Sequence, residues 1–434
     1  MLQKQSLTLL LCLCFSFVTF AQTTTTVTNQ LKEAKPEKVG MSSERLQNID
    51  KVMQEYVSKG YVPGAIGFVA RNGKVVYYKA VGYEDVEAKE KLQRDDIFRI
   101  ASQTKAITSV GVMMLYEEGK LKLDDPISKF IPSFKNPQVL DKFNPADTTY
   151  TTKPAKREVI IKDLLTHTSG IGYAMIGSPE IVAIYAKNNV PSGIGTPMGS
   201  LEKPITALGK LPLVHQPGER FTYGLNTDVL GYLVEVVSGQ PLDQFFRNRI
   251  FEPLEMNDTW FYLPVEKQNR LVKLYTEGQN KQMMAMPSRA GLTPDYPNTK
   301  GTYFSGGAGL SSTVYDYAVF LQMLLNGGEY NGHRILKPST VRLMTTNQTG
   351  EVNQGDNKFG LGFSVTTQRG AAKSPESVGS FGWGGIFGTN YWVDPKEGIV
   401  GIIYTQKYPN SNGNLDSKFR RLVYEAITDA ESKK

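Results

Sequence analysis

Phe98-Arg99-Ile100-Ala101-Ser102-Gln103-Thr104-Lys105 opens the stretch that decides how this chain folds, because an almost unbroken apolar run from Ala106 to Tyr116 follows it. Asp95 and Asp96 supply turn chemistry upstream, the run is long enough for about three helical turns, and Gly119 stands where a helix stops. The pattern predicts a buried helix opening at or near Ser102. Positions three apart leave a helix from nearly the same face, so Ser102 and Lys105 can reach one another. A serine hydroxyl beside an amine, at the positive end of a helix, has the form of an activated nucleophile. The same spacing also fits a helix N-cap followed by an exposed lysine. Ser200-Leu201-Glu202-Lys203 repeats it among Gly and Pro residues, where Pro204 biases Lys203 away from helical geometry.

The 434 residues leave room for one large or two medium domains, and 40% apolar content is ordinary for a globular chain. Residues 1–21 join a single positive charge, Lys4, to a Leu/Phe/Cys-rich stretch from Leu7 to Phe20 with Ala21 before Gln22. This is the pattern of a secretory signal peptide, too short for a permanent anchor. A periplasmic or secreted protein with no stable membrane anchor after signal removal is therefore expected. Both cysteines, Cys12 and Cys14, fall inside this segment, so the mature chain is expected to lack disulfides, thiol catalysis and cysteine-ligated metals. The formal charge of +7, which becomes +6 without Lys4, is spread over both signs with no Lys/Arg block that would argue for nucleic acid.

Residues 22–37 read as a flexible tether with a Thr-rich start, and 38–434 as the folded part. Ser42 or Ser43 caps a helix carrying Leu46, Ile49, Met53, Tyr56 and Val57 and ending at Gly60. Ala65 to Ala70 and Lys74 to Val81 are strands joined through Asn72-Gly73, a strong hairpin signal. Asp124-Asp125-Pro126 looks like the cap and first turn of a helix toward Phe134. Short helices, Ile160 to Leu165 and Asp228 to Val237 among them, and long polar connections are expected up to about residue 300. The weakly periodic stretches 171–210 and 265–300 read as surface loops that shape a site. Strand character returns at Gly360 to Thr367, Gly388 to Val393 and Ile399 to Thr405, and Phe419, Leu422, Val423 and Ile427 mark a terminal helix. The expectation is an α/β (α+β) fold: an antiparallel sheet built from both chain ends (about 38–105 and 300–434), flanked by helices, with a largely helical region (about 106–299) inserted.

Two further motifs stand downstream of the Ser102 stretch: Tyr223-Gly224-Leu225-Asn226-Thr227-Asp228-Val229-Leu230-Gly231 after Pro217-Gly218-Glu219, and Phe381-Gly382-Trp383-Gly384-Gly385-Ile386-Phe387-Gly388. In this order the three resemble the serine β-lactamase and penicillin-recognising family, most closely its class C-like esterase branch. Leu164-Leu165-Thr166-His167-Thr168-Ser169-Gly170, Phe251-Glu252-Pro253-Leu254-Glu255-Met256 and Gly306-Gly307-Ala308-Gly309-Leu310 support it, over roughly residues 35–430. The resemblance implies a β-lactamase/transpeptidase-like fold in which Ser102 forms an acyl-enzyme and Lys105 and Tyr223 form its proton network. It implies an oxyanion hole from the amides of Ser102 and Ile386, and a substrate pocket edged by Trp383, Gly384 and Gly385, whose glycines let an edge strand approach closely. Free lysine and tyrosine titrate near 10, so holding either deprotonated at neutral pH costs roughly 4–5 kcal/mol. Packing ammonium against phenol favours the phenolate and burial favours the neutral amine, which leaves open which of the two takes the proton.

Two departures decide between activities. Leu225 stands where β-lactamases and transpeptidases place an Asn, with Asn226 beside it read as coincidental, and Trp383 replaces the cation that faces a substrate carboxylate. Such a site suits esters better than penicillins or terminal D-alanine. A carboxylic-ester hydrolase needing no cofactor and acting on a small-molecule ester or amide is the first expectation. A D-amino-acid or cell-wall peptidase, or a weak class C-like β-lactamase, is the second; a penicillin-binding or other ligand-binding protein without turnover is a third, of another class. His167, His215 and His333 have no metal-ligand spacing, so no metal is expected. No Gly-x-Ser-x-Gly elbow supplies a different nucleophile.

Overall fold

The computed structural model describes residues 31–196, 198–288 and 292–428; the expected signal peptide at 1–21 lies outside them, as do residues 22–30 of the tether. Asn72 and Gly73 both take positive φ (50° and 72°), as a tight hairpin turn requires, and join strands Gly64–Arg71 and Lys74–Asp85. Gly64–Arg71 then pairs antiparallel with Ile399–Tyr404, Ile66 opposite Tyr404 and Arg71 opposite Ile399, which is where the two chain ends meet. The sheet runs Lys32–Glu33, Lys74–Asp85, Gly64–Arg71, Ile399–Tyr404, Thr389–Asp394, Phe381–Gly385, Ser364–Val365, Lys358–Phe359, with Glu90–Lys91 beside Lys74–Asp85. Apart from Lys32–Glu33, which is parallel to its neighbour, the pairs are antiparallel.

Both faces of the central strands are covered, so they read as continuous apolar runs rather than alternating ones. On one face Ala65, Val69, Trp392 and Ile403 pack with Leu46, Ile49 and Met53 of helix Ser43–Ser58 and Phe419 and Val423 of helix Leu415–Glu425. On the other, Ile66, Phe68, Ile402 and Tyr404 join the core of helices Thr104–Glu117, Asn226–Ser238 and Val314–Leu325. Thr104–Glu117 is buried from Thr104 to Leu115, so it is covered on all sides rather than along one stripe. The architecture is a mixed α/β one, a sheet from both chain ends between helical layers. No helix among the described residues is long and apolar enough to cross a membrane.

Several local expectations are corrected. Residues 31–37, read as the end of a tether, are ordered: Leu31 is buried and donates its N–H to Tyr330 Oη (2.9 Å), and Lys32–Glu33 join the sheet. The helix expected after Asp125 is replaced by short 3₁₀ turns at Ile127–Lys129 and Pro132–Phe134, because Ile127 N–H bonds to Val159 O (2.9 Å) and Ile161 N–H to Asp125 O (3.1 Å). The inserted region is not only helical: Gln138–Asn144 and Thr149–Pro154 form a hairpin, as do Tyr275–Glu277 and Met283–Ala285. The 171–210 stretch holds helices Pro179–Lys187 and Glu202–Leu208. Lys203 is therefore helical after all; Pro204 sits in the first turn, where its missing N–H would have had no intrahelical partner. The strand expected over 360–367 shrinks to Ser364–Val365, since residues 360–363, with Gly362 at φ 97°, turn the chain back on Lys358–Phe359.

Candidate active site

Strand Phe98–Arg99 pairs with Ser311–Ser312, and Ile100 N–H bonds to Leu310 O (3.1 Å). Ala101 then enters the left-handed region at φ 44°, and a 3₁₀ turn over Ala101–Gln103 leads into helix Thr104–Glu117. A non-glycine residue in that region costs about 1–3 kcal/mol and persists only where its surroundings over-determine it. They do so here: Tyr404 Oη donates to Gln103 Oε1, Tyr317 Oη donates to Gln103 O (3.0 Å), and Leu310 N–H donates to Thr104 Oγ1 (3.1 Å). Fully buried Arg99 ties in the 265–300 region through Val272 O and Pro294 O, both at 2.6 Å. Ser102 thus rides on a strand-to-helix turn held by hydrogen bonds on both sides, and its side chain makes no helix-capping bond.

Lys105 is buried behind it. Its Nζ donates to Ser102 Oγ (3.3 Å), Tyr173 Oη (3.2 Å) and Gly307 O (2.7 Å), so three oxygens meet the three protons of an ammonium. Nζ also lies 4.7 Å from the Tyr223 ring centroid. Burial works against the ammonium, but Tyr173, Tyr223 and Asp228 around it win, and the group is held above the ordinary lysine value. Burial pushes the Tyr173 phenol up. Tyr223 packs between His167, Tyr173 and Trp383, with ring centroids 4.9, 5.5 and 5.4 Å away, and accepts a hydrogen bond from Trp383 Nε1 (3.3 Å).

Asp228, fully buried in the first turn of helix Asn226–Ser238, accepts from Ser305 Oγ (2.5 Å) and Gly307 N–H (3.3 Å), while its Oδ2 has no partner. Burial raises this carboxyl's pKa. The Gly307 peptide is therefore held by Asp228 at its N–H and holds Lys105 at its carbonyl. Asn226, read as coincidental, braces the neighbouring loop, since its Nδ2 donates to His167 Nδ1 (2.9 Å) and its Oδ1 accepts from Ser169 Oγ. Burial and the Lys105 charge keep His167 well below the ordinary histidine value, so the ring is neutral packing for Tyr223. His215 bonds Thr222 and Gln216, His333 is exposed, and no group of acidic, His or Cys residues among the described residues could hold a metal.

A cavity of about 400 Å³ opens over Ser102. Its lining comes from three parts of the chain: Ser102 with Tyr223, the strand end Trp383 to Ile386, and Tyr173, Met175, Ile176 and Ile194. Strand Phe381–Gly385 is paired on both sides at Phe381 and Gly382 and only with Thr389–Asp394 beyond, so its open edge is the Trp383–Gly385 half alone. A Cβ at Gly385 would fall 2.4 Å from Ile100 O, so only glycine lets this half cross the Ser102 turn. Every residue expected at the site from the sequence lines this cavity except Lys105, which lies beneath it. Tyr173, Met175, Ile176 and Ile194 were hidden in a stretch read only as a loop; the one signal was an aromatic, Tyr173, three residues after the end of Leu164-Leu165-Thr166-His167-Thr168-Ser169-Gly170. Asp228 stood in a quoted motif without a role.

Known proteins are similar to this chain over most of its length. Protein Rv1367c of Mycobacterium tuberculosis is 35% identical over 376 residues, covering 82% of this chain and 89% of that protein. Esterase EstB of Burkholderia gladioli is 29% identical over 87% of this chain and 94% of its own length. The structure of EstCE1, described as a hydrolase with promiscuous acyltransferase activity, superposes with a TM-score of 0.76 at 28% identity, over 88% of this chain and 99% of that one. The family model described as Beta-lactamase matches residues 49–425, and the chain belongs to this family of serine hydrolases.

Proposed function

We propose that the chain is an exported carboxylic-ester hydrolase working through an acyl-enzyme on Ser102, within one folded unit that begins by about residue 31. The observation that carries this reading is the cavity itself: Ser102 Oγ faces it with Lys105 Nζ 3.3 Å behind, and no charged side chain is among the described residues that line it. In the first half-reaction Ser102 Oγ attacks the ester carbonyl carbon and gives up its proton to the Tyr223–Lys105 pair. Lys105 Nζ already donates to three oxygens and is not placed to accept that proton, so Tyr223 is assigned the accepting role. The tetrahedral oxyanion takes hydrogen bonds from the backbone N–H groups of Ser102 and Ile386. Collapse breaks the ester C–O bond, and the alcohol leaves with the proton from Tyr223. Water then attacks the acyl carbon, passes its proton to Tyr223, and the acid departs as Ser102 regains its hydrogen.

The likeness to EstB and EstCE1 supports ester chemistry, and Trp383 and Leu225 leave no cation or amide at the positions where the β-lactamase branch holds a carboxylate. Export rests on the composition of residues 1–21 and is checked by N-terminal sequencing of the protein recovered outside the cytoplasm. The ester reading is tested by assaying a p-nitrophenyl ester, a chromogenic cephalosporin and a D-amino-acid amide in parallel. The ester is expected to turn over fastest, and Ser102→Ala is expected to lose about 10³-fold or more of that activity with unchanged circular dichroism. Faster cephalosporin or amide turnover would move the protein to the lactamase or peptidase reading. A stable Ser102 adduct without product release would mark a binding protein.

A further inference from the structure

Met175 and Ile176 are 49% and 55% exposed, and both line the cavity over Ser102 together with Ile194 and Ile386. Single apolar side chains on a surface need no explanation, but neighbouring ones that converge on a reactive hydroxyl mark the place where a ligand covers them. The polar atoms of the same cavity are largely engaged: Trp383 Nε1 donates to Tyr223, and Tyr173 Oη accepts from Lys105. We propose that Met175, Ile176, Ile194 and Ile386 form a subsite for an uncharged hydrocarbon substituent of the ester, an inference that rests on the ester-hydrolase reading.

The physical basis is the balance of desolvation. A methylene chain laid on these four side chains removes apolar surface from water on both partners. A carboxylate in the same place would lose its hydration and find no cation among the described lining residues. The subsite therefore selects neutral, apolar esters and disfavours substrates that carry an acid near the scissile bond. The hydrocarbon can belong to the acyl half or to the alcohol half, and the two are separated by experiment.

Two ester series test it on the mature full-length protein: p-nitrophenyl alkanoates from acetate to octanoate, and methyl to hexyl esters of one small acid. In one series kcat/KM is expected to climb about twofold to fourfold per methylene before levelling, which identifies the half that occupies the subsite. An alkanoate ending in a carboxylate is expected to react at least tenfold more slowly than its methyl-capped equivalent. Met175→Gln and Ile176→Ser, at half-exposed positions, are expected to flatten the climb with an unchanged thermal melt. Equal rates along both series, preference for the carboxylate-ended ester, or a full climb in both variants would overturn the subsite. If these occur while turnover still requires Ser102, the subsite fails and the ester-hydrolase reading stands; turnover that survives Ser102→Ala instead removes the reading beneath it.

Discussion

A lysine buried with three oxygen acceptors is satisfied as a cation, and that fact sets the chemistry of the residues around it. Lys105 reaches Ser102, Tyr173 and Gly307, and the charge of Asp228 reaches Lys105 from behind the Gly307 peptide. The other groups facing this buried cluster are Tyr223, Tyr303 and His167. Asp228 is thus a positioning residue with an electrostatic effect: as a carboxylate it holds the Lys105 proton more tightly. Asp228→Asn keeps an acceptor for Ser305 and Gly307 but removes the negative charge, so the buried cluster around Lys105 gives up a proton more readily. The ascending limb of the kcat/KM–pH profile is expected to move to lower pH. A purely structural role would lower activity at every pH and leave the limb in place. None of this was legible from residue spacing, which placed Ser102 and Lys105 on one face but could not see that Gly307, 202 residues further on, supplies the lysine's shortest bond.

At the scale of elements, the site depends on how closely a strand end crosses a helix start. The approach of Gly385 to the Ile100 carbonyl leaves no room for a Cβ, whereas at Gly384 the nearest atom is the side-chain oxygen of Asn390 (2.4 Å), which can rotate away. Gly385→Ala is expected to push the strand and Ile386 from the Ser102 turn and reduce kcat/KM by about 100-fold, the penalty of an ångström-scale displacement, with the fold retained by circular dichroism. Gly384→Ala is expected to cost much less; equal losses would contradict the role given to the Gly385 crossing. Elements with strong local chemistry were legible in the sequence: the Ser42-capped helix, the Asn72-Gly73 hairpin, the apolar helix after Ser102 and Gly239 closing helix Asn226–Ser238. Those set by distant pairing were not. Pro126 to Lys129 looked helical, yet its backbone bonds to residues 159–161, and the Gln138–Pro154 hairpin is exposed along its second strand and so carries no apolar period to read.

Over the whole molecule, the site lies where three lengths of chain that are distant in sequence converge: the turn after the first strands, the inserted region carrying Tyr173, Tyr223 and Asp228, and the strand end at Trp383. The sheet makes this possible because Gly64–Arg71, from the beginning of the chain, pairs directly with Ile399–Tyr404, from its end, setting residue 102 beside residue 385 through Ile100. The family resemblance carried by the three motifs implied this convergence in advance; the apolar lining from Met175 and Ile176 was not legible, because loops carry no period. The central claim is that these lengths build one acylation centre at Ser102. Acid quenching of the protein during turnover of a p-nitrophenyl ester, followed by peptide mass mapping, tests it most directly. The acyl mass is predicted on the peptide containing Ser102 and on no other, and to vanish in Ser102→Ala; acylation of another residue, or turnover with no acyl-protein when hydrolysis of the acyl group is rate-limiting, would contradict it.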